Sequence, residues 1–472
     1  MFSSIKNVLV RVRSRYRRCV EMNRSSYWKL QMCGTEEEMR EVAGRICRNY
    51  LHGAWKTTDP RDLDFKRISG GLSNFLYYVA LPSDPAKLGG FRRESSPDAE
   101  QDHKLKKQML SAHSFSLDEP KKVLLRIYGQ VHGERAMDAI VTESVIFTLL
   151  SERRLGPKLH GVFSGGRIEQ YIPARPLLTK ELSEPAMSMK IAEKMAAIHS
   201  MDVPLSKEPN WLWKTMAKWL RTVKEERLAE LPRDMRDEER QVAERLRAVP
   251  WEAEIEWLKR LTAALASPVV FCHNDMQEGN ILIFEDEVET GGEGSGDGEG
   301  VGGEYAYKEA DSASVSSAEL GEPRLVLIDF EYCAYNYRAF DIANHLQEWC
   351  YDYTNPEHPF YYENYENAPT LEQKEIFIKE YLKHVSGDAV GAGADSIDEI
   401  NRLLDEIDAF ALASHLFWSL WSIVNASKSQ IPFGYWEYGL SRLETYLRLK
   451  QELIKKDKYG FPQKRKICEV DI

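Results

Sequence analysis

The segment His273-Asn274-Asp275-Met276-Gln277-Glu278-Gly279-Asn280 has the spacing H-x-D-x-x-x-x-N, and it follows the apolar run Val269–Cys272. Downstream, the apolar strand Leu325–Ile328 ends in Asp329-Phe330-Glu331. These residue types suit in-line phosphoryl transfer. That reaction needs an acceptor hydroxyl held in place, a group to take its proton, and hard oxygen ligands for a divalent ion on the phosphates. Asp275 has the position of the base. The Asn280 amide oxygen and the Asp329 carboxylate are the candidate ligands for Mg²⁺. His273 is expected to hold the shape of the loop through hydrogen bonds. One H-x-D-x-x-x-x-N arises by chance. The same motif followed by strand, hairpin, strand and Asp-Phe, behind a β-rich segment, is a far stricter requirement.

Upstream, Ser69-Gly70-Gly71-Leu72-Ser73-Asn74 lies between two strands. Its backbone N–H groups fit an approach to phosphates, and they equally fit a plain hairpin turn. Arg126, on the next strand, has the place of a phosphate-holding cation, or of an arginine facing solvent. Glu143 on the following helix is its candidate ion-pair partner, with Glu134 and Glu152 as alternatives. Past Asp329 come Tyr332, Asp341, His345, Glu348, Trp349, Tyr351, Asp352 and Tyr353. Later follow Trp418 and Trp421 at i and i+3, then Phe433, Tyr435, Trp436 and Tyr438. A tryptophan pair at helical spacing fits core packing. Aromatic faces beside a carboxylate also fit a quaternary ammonium, which donates no N–H bond and is held by cation–π contacts. His199 and His415 read as structural.

The elements that must position these groups divide the chain in two. Thr35-x-x-Glu38 is a capping box ahead of Met39, Val42, Ile46 and Tyr50 at helical spacing. Residues 65–81 read as two strands, Val123–Tyr128 as a third, Asp138–Arg153 as a helix, and 158–172 as a strand pair turning at Ser164-Gly165-Gly166. Pro173 and Pro176 close this β-rich lobe, expected over 36–176 with a loop at 82–120. Residues 177–455 are expected to form a larger, mainly helical lobe. Its helices are expected at Ser183–Ser200, Trp211–Arg247, Glu252–Ala266, Leu371–His384 and Ser396–Tyr446. Residues 285–322 carry nine glycines and twelve acids against one lysine. That composition predicts a disordered insert at a hairpin tip. Residues 456–472 form a tail.

The chain has 472 residues, 43% hydrophobic and 29% charged, with a net charge of −11. No run of 18 apolar residues offers a transmembrane helix. No apolar h-region follows the N-terminus, so a secretory signal is not expected. Seven scattered cysteines without a C-x-x-C pair predict reduced thiols in the cytosol. The acidic balance argues against a nucleic-acid partner. Residues 1–35 form a basic arm, with eight Lys/Arg against one acid over 1–30. It reads as a solvated tail, as a presequence-like segment, or as an amphipathic helix touching an anionic membrane surface.

His273–Leu282, Ile328–Tyr353 and Leu416–Tyr438 together resemble the choline/ethanolamine kinase family. Gln277-Glu278-Gly279 and Phe330-Glu331-Tyr332 look closer to its choline kinase branch. The resemblance covers roughly residues 36–455. It implies an α+β, two-lobed, protein-kinase-like fold. It also implies transfer of phosphate from ATP to choline with Mg²⁺, toward phosphatidylcholine, by a cytoplasmic and commonly dimeric enzyme. By the same resemblance Ser69, Gly70, Gly71, Leu72, Ser73 and Asn74 are the nucleotide loop and Arg126 a phosphate contact. Gln170–Pro176, including Ile172, matches the strand that holds adenine, and Gln277 lies at the phosphate end. Asp275 is the base, and Asn280 and Asp329 are metal ligands. Glu348, Tyr353, Trp418, Trp421 and Tyr438 wall the choline site. An ethanolamine-selective kinase and an inactive kinase-fold binding protein stay open as alternatives. A protein kinase is not expected, because no A-P-E signature follows Asp329.

Overall fold

The computed structural model describes residues 35–68, 74–83, 119–128, 133–163, 165–227, 231, 235–284, 323–385, 396–429 and 431–456. They belong to two compact units that meet in sequence at Pro173/Ala174. The basic arm, the Ser69–Ser73 turn, most of the 82–120 loop, the 285–322 insert and the tail lie outside the described residues.

In the first unit, helix α1 (Glu36–Tyr50) opens on the expected capping box. The Glu38 N–H donates to Thr35 Oγ1 at 3.3 Å, and the Thr35 N–H to Glu38 Oε2 at 2.7 Å. Its apolar face buries Met39, Val42, Ala43, Ile46 and Cys47. That face joins a core with Phe65, Tyr77, Val79, Val123, Leu125 and Ile168. The sheet is antiparallel, in the order β1 (Asp64–Ile68), β2 (Asn74–Ala80), β3 (Lys122–Tyr128), β5 (Gly166–Gln170), β4 (Leu159–Phe163). The core-facing residues Tyr77 and Val79 of β2 and Val123, Leu125 and Ile127 of β3 stand two apart, the period of a strand with one face on the core. Helix α2 (Gly133–Glu152) lies between β3 and β4 in the chain. At Gly166 a Cβ would sit 2.1 Å from the carbonyl oxygen of Arg126, so only glycine lets β3 and β5 pair there.

The second unit is mostly helical. It contains α3 (Pro185–His199), α4 (Trp211–Arg227), α5 (Asp237–Ala248), α6 (Trp251–Leu265), α7 (Arg338–Glu348), α8 (Leu371–Val385), α9 (Ile397–Lys428) and α10 (Tyr435–Lys455). Two sequence expectations are corrected. The single helix over 211–247 is two helices, with Leu231-Pro232 between them. The helix over 396–446 ends at Lys428, and Pro432 and Gly434 precede α10. Proline lacks the N–H and clashes with the preceding turn, so neither run could continue. Helix α7 was not among the expected helices, although Ala339, Ile342, Ala343 and Leu346 recur at helical spacing, and ten of its eleven residues are buried, polar ones included. Helix α9 is long and apolar enough by composition to cross a membrane, yet 89% of its most apolar window is buried inside the structure. Such a helix is the centre of a core.

Two small sheets carry the loops of interest. Strands β7 (Val269–Cys272) and β10 (Ala334–Tyr337) pair antiparallel, with Cys272 opposite Ala334. Strands β6 (Ala174–Pro176), β8 (Ile281–Phe284) and β9 (Leu325–Leu327) form a second sheet in that order. The segment 273–280 thus runs from the end of β7 to the start of β8. Asp329 stands just past β9, in the connection that leads on to β10.

Candidate active site

The loop 273–280 is held from beneath by one carboxylate. Asp341 on α7 accepts the backbone N–H groups of His273 (2.8 Å) and Asn274 (2.7 Å), and its Oδ2 also meets His199 Nε2 at 3.0 Å. Burial alone would raise its pKa. The hydrogen bond and charge of His199, with the His273 contacts, bring it below the usual carboxylate range instead. His199 in turn bonds Tyr381 of α8 at 2.8 Å, so its structural assignment describes a side chain that orients another. His415 bonds Gln347 at 3.0 Å.

His273 does what its position implied. Its Nε2 lies 3.0 Å from the carbonyl oxygen of Ile328, and its Nδ1 accepts the N–H of Asp275 at 3.3 Å. Nε2 therefore carries the proton. Burial pushes its pKa down and keeps it neutral. Asn274 and Asp329 both have left-handed backbones, with φ of 67° and 62°. Asn and Asp tolerate that region better than other non-glycine residues, and such strain gathers at functional sites. The Asn274 side chain donates to Tyr332 O at 2.9 Å, which ties the loop to the segment after Asp329.

Helix α7 grips the loop once more, where His345 Nδ1 donates to Met276 O at 2.8 Å and Nε2 accepts from Trp349 Nε1 at 3.3 Å. Burial pushes the His345 pKa down to about 4. The folded protein therefore resists the proton that the unfolded chain takes up near pH 6.5, so stability is lost as pH falls from about 6.5 to about 4. Each unit is worth about 1.4 kcal/mol, or roughly 3 kcal/mol in all. His345→Gln is expected to flatten that acid limb. Urea unfolding at pH 7 and pH 5 checks it, and an undiminished loss of stability in the variant would refute it.

Asp275, Asn280 and Asp329 come together as the motifs required. Asn280 Nδ2 donates to Asp275 O (2.9 Å) and to Asp275 Oδ2 (3.0 Å), which leaves the amide oxygen as the hard donor. The Ile328 N–H donates to Asn280 O at 3.0 Å, joining both ends of the site. The Asp275 carboxyl is pushed well above the usual range by burial and then by the charges of Asp329, Glu348 and Glu331. Clustered carboxylates that repel one another, with an amide oxygen among them, are the donor set of a hard divalent cation. Gln277 opens the turn Glu278–Asn280, its Oε1 accepting the Gly279 N–H at 2.8 Å.

The aromatic residues assemble beside this loop. Trp418 and Trp421 meet edge to face at 5.5 Å between centroids. Tyr332 lies 5.8 Å from Trp418, and Tyr438 6.3 Å from Trp421. Phe433 lies 5.4 Å from Tyr438. Trp418 is buried and Trp421 only half-buried, so the first is packing as much as wall. Both indole N–H groups are engaged, Trp418 with Asn344 Oδ1 at 2.6 Å and Trp421 with Tyr332 OH at 3.1 Å. Tyr353 OH donates to Glu348 Oε2 at 2.7 Å. Glu348, placed in the choline wall by the resemblance, carries its charge beside an opposite one. Arg442 of α10 forms a fully buried ion pair with Glu348. Arg442 was missed, although it stands four residues after Tyr438 and so on the same helix face. Glu278 was also missed. Burial, and then the charge of Glu348, push its carboxyl up to about 8.

Apart from Gln277, the nucleotide-side candidates Ser69–Asn74, Arg126, Glu143, Gln170 and Ile172 lie in the first unit. Ser69, Gly70, Gly71, Leu72 and Ser73 are outside the described residues, and Asn74 begins β2 opposite Tyr128. Arg126 is buried and bonds Glu169 Oε1 at 2.8 Å. Glu143 was the candidate partner of Arg126. Arg126 bonds Glu169 of β5, and Glu143 bonds Arg167, which also bonds Glu169 at 2.6 Å. Strand pairing sets Arg126 directly opposite Arg167, and Glu169 lies on the same face. Burial opposes the Glu169 charge, yet the two guanidinium groups bring its pKa below the usual range. Gln170 Oε1 accepts the Lys158 N–H at 3.0 Å, and Ile172 is buried.

Comparison with known proteins agrees with this geometry. The family model described as choline/ethanolamine kinase matches residues 65–447. The chain is 40% identical over 407 residues to a rat protein named choline/ethanolamine kinase, covering 86% of this chain and 85% of that one. It is 37% identical over 437 residues to mouse choline kinase alpha, covering 89% and 82%. The fold is similar to that of a choline kinase from Cryptosporidium parvum, with a TM-score of 0.60 at 24% identity over 88% of this chain and 96% of that one. With the catalytic loop, the Asp-Phe element and the aromatic wall all within the matched span, the chain belongs to the choline/ethanolamine kinase family.

Proposed function

We propose that this chain transfers the γ-phosphoryl group of ATP to the hydroxyl of choline, giving phosphocholine and ADP on the route to phosphatidylcholine. One observation carries the reading: an aromatic wall of half-buried Trp421, Tyr332 and Phe433 with buried Tyr438 stands beside the loop that bears Asp275. A cation held on those faces brings a short alcohol arm toward that carboxylate. Asp275 accepts the hydroxyl proton as the phosphoryl group arrives. Asn280 and Asp329 would hold Mg²⁺, which when bound neutralises charge on the phosphates. His273 ties the backbone of Asp275 to that of Ile328, and Arg126 is a phosphate contact by the family resemblance. The names of the rat and mouse relatives support the substrate class. The reading includes a dimeric, cytosolic enzyme. The four described cysteines Cys47, Cys272, Cys333 and Cys350 are free and buried, in keeping with a reducing compartment. Release of ADP with choline and with ethanolamine, measured side by side, tests it. Release with neither would refute it.

The wall makes a graded prediction. Trp421→Leu keeps the site apolar and removes one π face. A desolvated cation–π contact is worth up to about 2 kcal/mol, so choline efficiency is expected to fall roughly tenfold and ethanolamine efficiency less. Melting temperature is measured on the same variant. A lowered melting temperature with an unchanged choline-to-ethanolamine ratio would return Trp421 to the core.

A further inference from the structure

Four polar groups behind the aromatic wall close into a ring. Arg442 Nη2 donates to Glu348 Oε1 and, at 2.6 Å, to Tyr438 OH. The Tyr438 and Tyr353 hydroxyls are 3.0 Å apart, and Tyr353 OH donates to Glu348 Oε2 at 2.7 Å. A guanidinium only donates and an ionised carboxylate only accepts. The direction of the whole ring is therefore fixed: Tyr438 accepts from Arg442 and donates to Tyr353, which donates to Glu348. Arg442, Glu348 and Tyr438 are all at least 97% buried. The guanidinium lies 3.8 Å from the centre of the Tyr351 ring and 5.0 Å from that of Tyr438.

Both Glu348 oxygens and both tyrosine hydroxyl protons are spent inside this ring, Arg442 Nε and Nη1 are buried without a partner and can only donate, and the charge of Glu348 is balanced by Arg442. The indole N–H groups of Trp418 and Trp421 are spent on Asn344 and Tyr332. What the wall offers a ligand is ring faces. A quaternary ammonium needs nothing else. A primary ammonium brings three N–H donors, and each one desolvated without an acceptor is costly.

We propose that Arg442, by closing this ring, sets the preference for fully substituted over primary ammonium alcohols. The inference rests on the choline kinase reading and deepens it. Arg442 is a positioning residue: it acts through Glu348 and Tyr438. Without it, one Glu348 oxygen and the Tyr438 oxygen become open acceptors beside an unbalanced charge. N–H donors gain from all three, and a quaternary ammonium gains from the charge alone.

The test is kcat/KM for ethanolamine, its N-methyl and N,N-dimethyl derivatives, and choline, on the parent, Arg442→Met, Arg442→Lys and Tyr353→Phe. In Arg442→Met the choline-to-ethanolamine ratio is expected to fall at least tenfold, with the gain graded by the number of N–H bonds. Lysine still donates to both partners, so Arg442→Lys is expected to keep the parent order. Tyr353→Phe opens Glu348 Oε2 alone and is expected to lower the ratio several-fold. Should Arg442→Met be recovered unfolded, Tyr353→Phe decides, since it removes only a hydroxyl. A fall shared equally by all four alcohols in the folded variants would assign Arg442 to packing and overturn the inference while leaving the function in place. A parent protein that phosphorylates none of the four would overturn the function, and this inference with it.

Discussion

Asp275→Ala is expected to lower choline turnover by about 10²–10⁴-fold, the range lost with a general base, while the protein keeps its fold. The size follows from the position of the carboxylate. It is pinned by Asn280 Nδ2 at 3.0 Å, and its backbone N–H is bonded to His273. The fold should survive for an electrostatic reason. Burial and the charges of Asp329, Glu348 and Glu331 all disfavour the ionised Asp275, so its removal relieves repulsion. The melting temperature is therefore expected to hold or rise as turnover falls. A variant with near-parental turnover would remove Asp275 from the role of base.

Asp329→Ala is expected to produce the second largest loss, and of a different kind. Asp329 supplies a hard anionic oxygen from a left-handed backbone position, φ 62°, next to the carbonyl that His273 grips. If it is a metal ligand, its loss moves the Mg²⁺ requirement as well as the rate. Half-maximal activity is expected at a concentration of Mg²⁺ at least tenfold higher, a shift of about 1.4 kcal/mol or more. Titrating Mg²⁺ at saturating ATP and choline measures it. A depressed rate on an unmoved titration curve would show that Asp329 acts otherwise.

Much of this site was legible in the sequence because its chemistry is local. Asp275 and Asn280 are five residues apart on one loop, and Asp329 ends an apolar strand, so spacing alone placed them. The aromatic wall was legible for a similar reason: Trp418 and Trp421 share a helix face at i and i+3. Contacts set by tertiary packing were not legible. Glu169 meets Arg126 only because β5 pairs with β3 in a particular register. Arg442 meets Glu348 across 94 residues of chain. Helix α7 was legible and was overlooked: Ala339, Ile342, Ala343 and Leu346 recur at i, i+3, i+4 and i+7. The two overlong helices erred in the opposite way, since their apolar pattern runs past prolines that the backbone cannot follow.

The imidazole of His273 spans from the N–H of residue 275 to the carbonyl of residue 328. It is a flat, rigid spacer, so the gap between the backbone that carries Asp275 and the backbone that leads into Asp329 has the width of one ring. Thermal motion then carries the two backbone segments together. The site stays in tune as the protein breathes, until the spacer itself is lost.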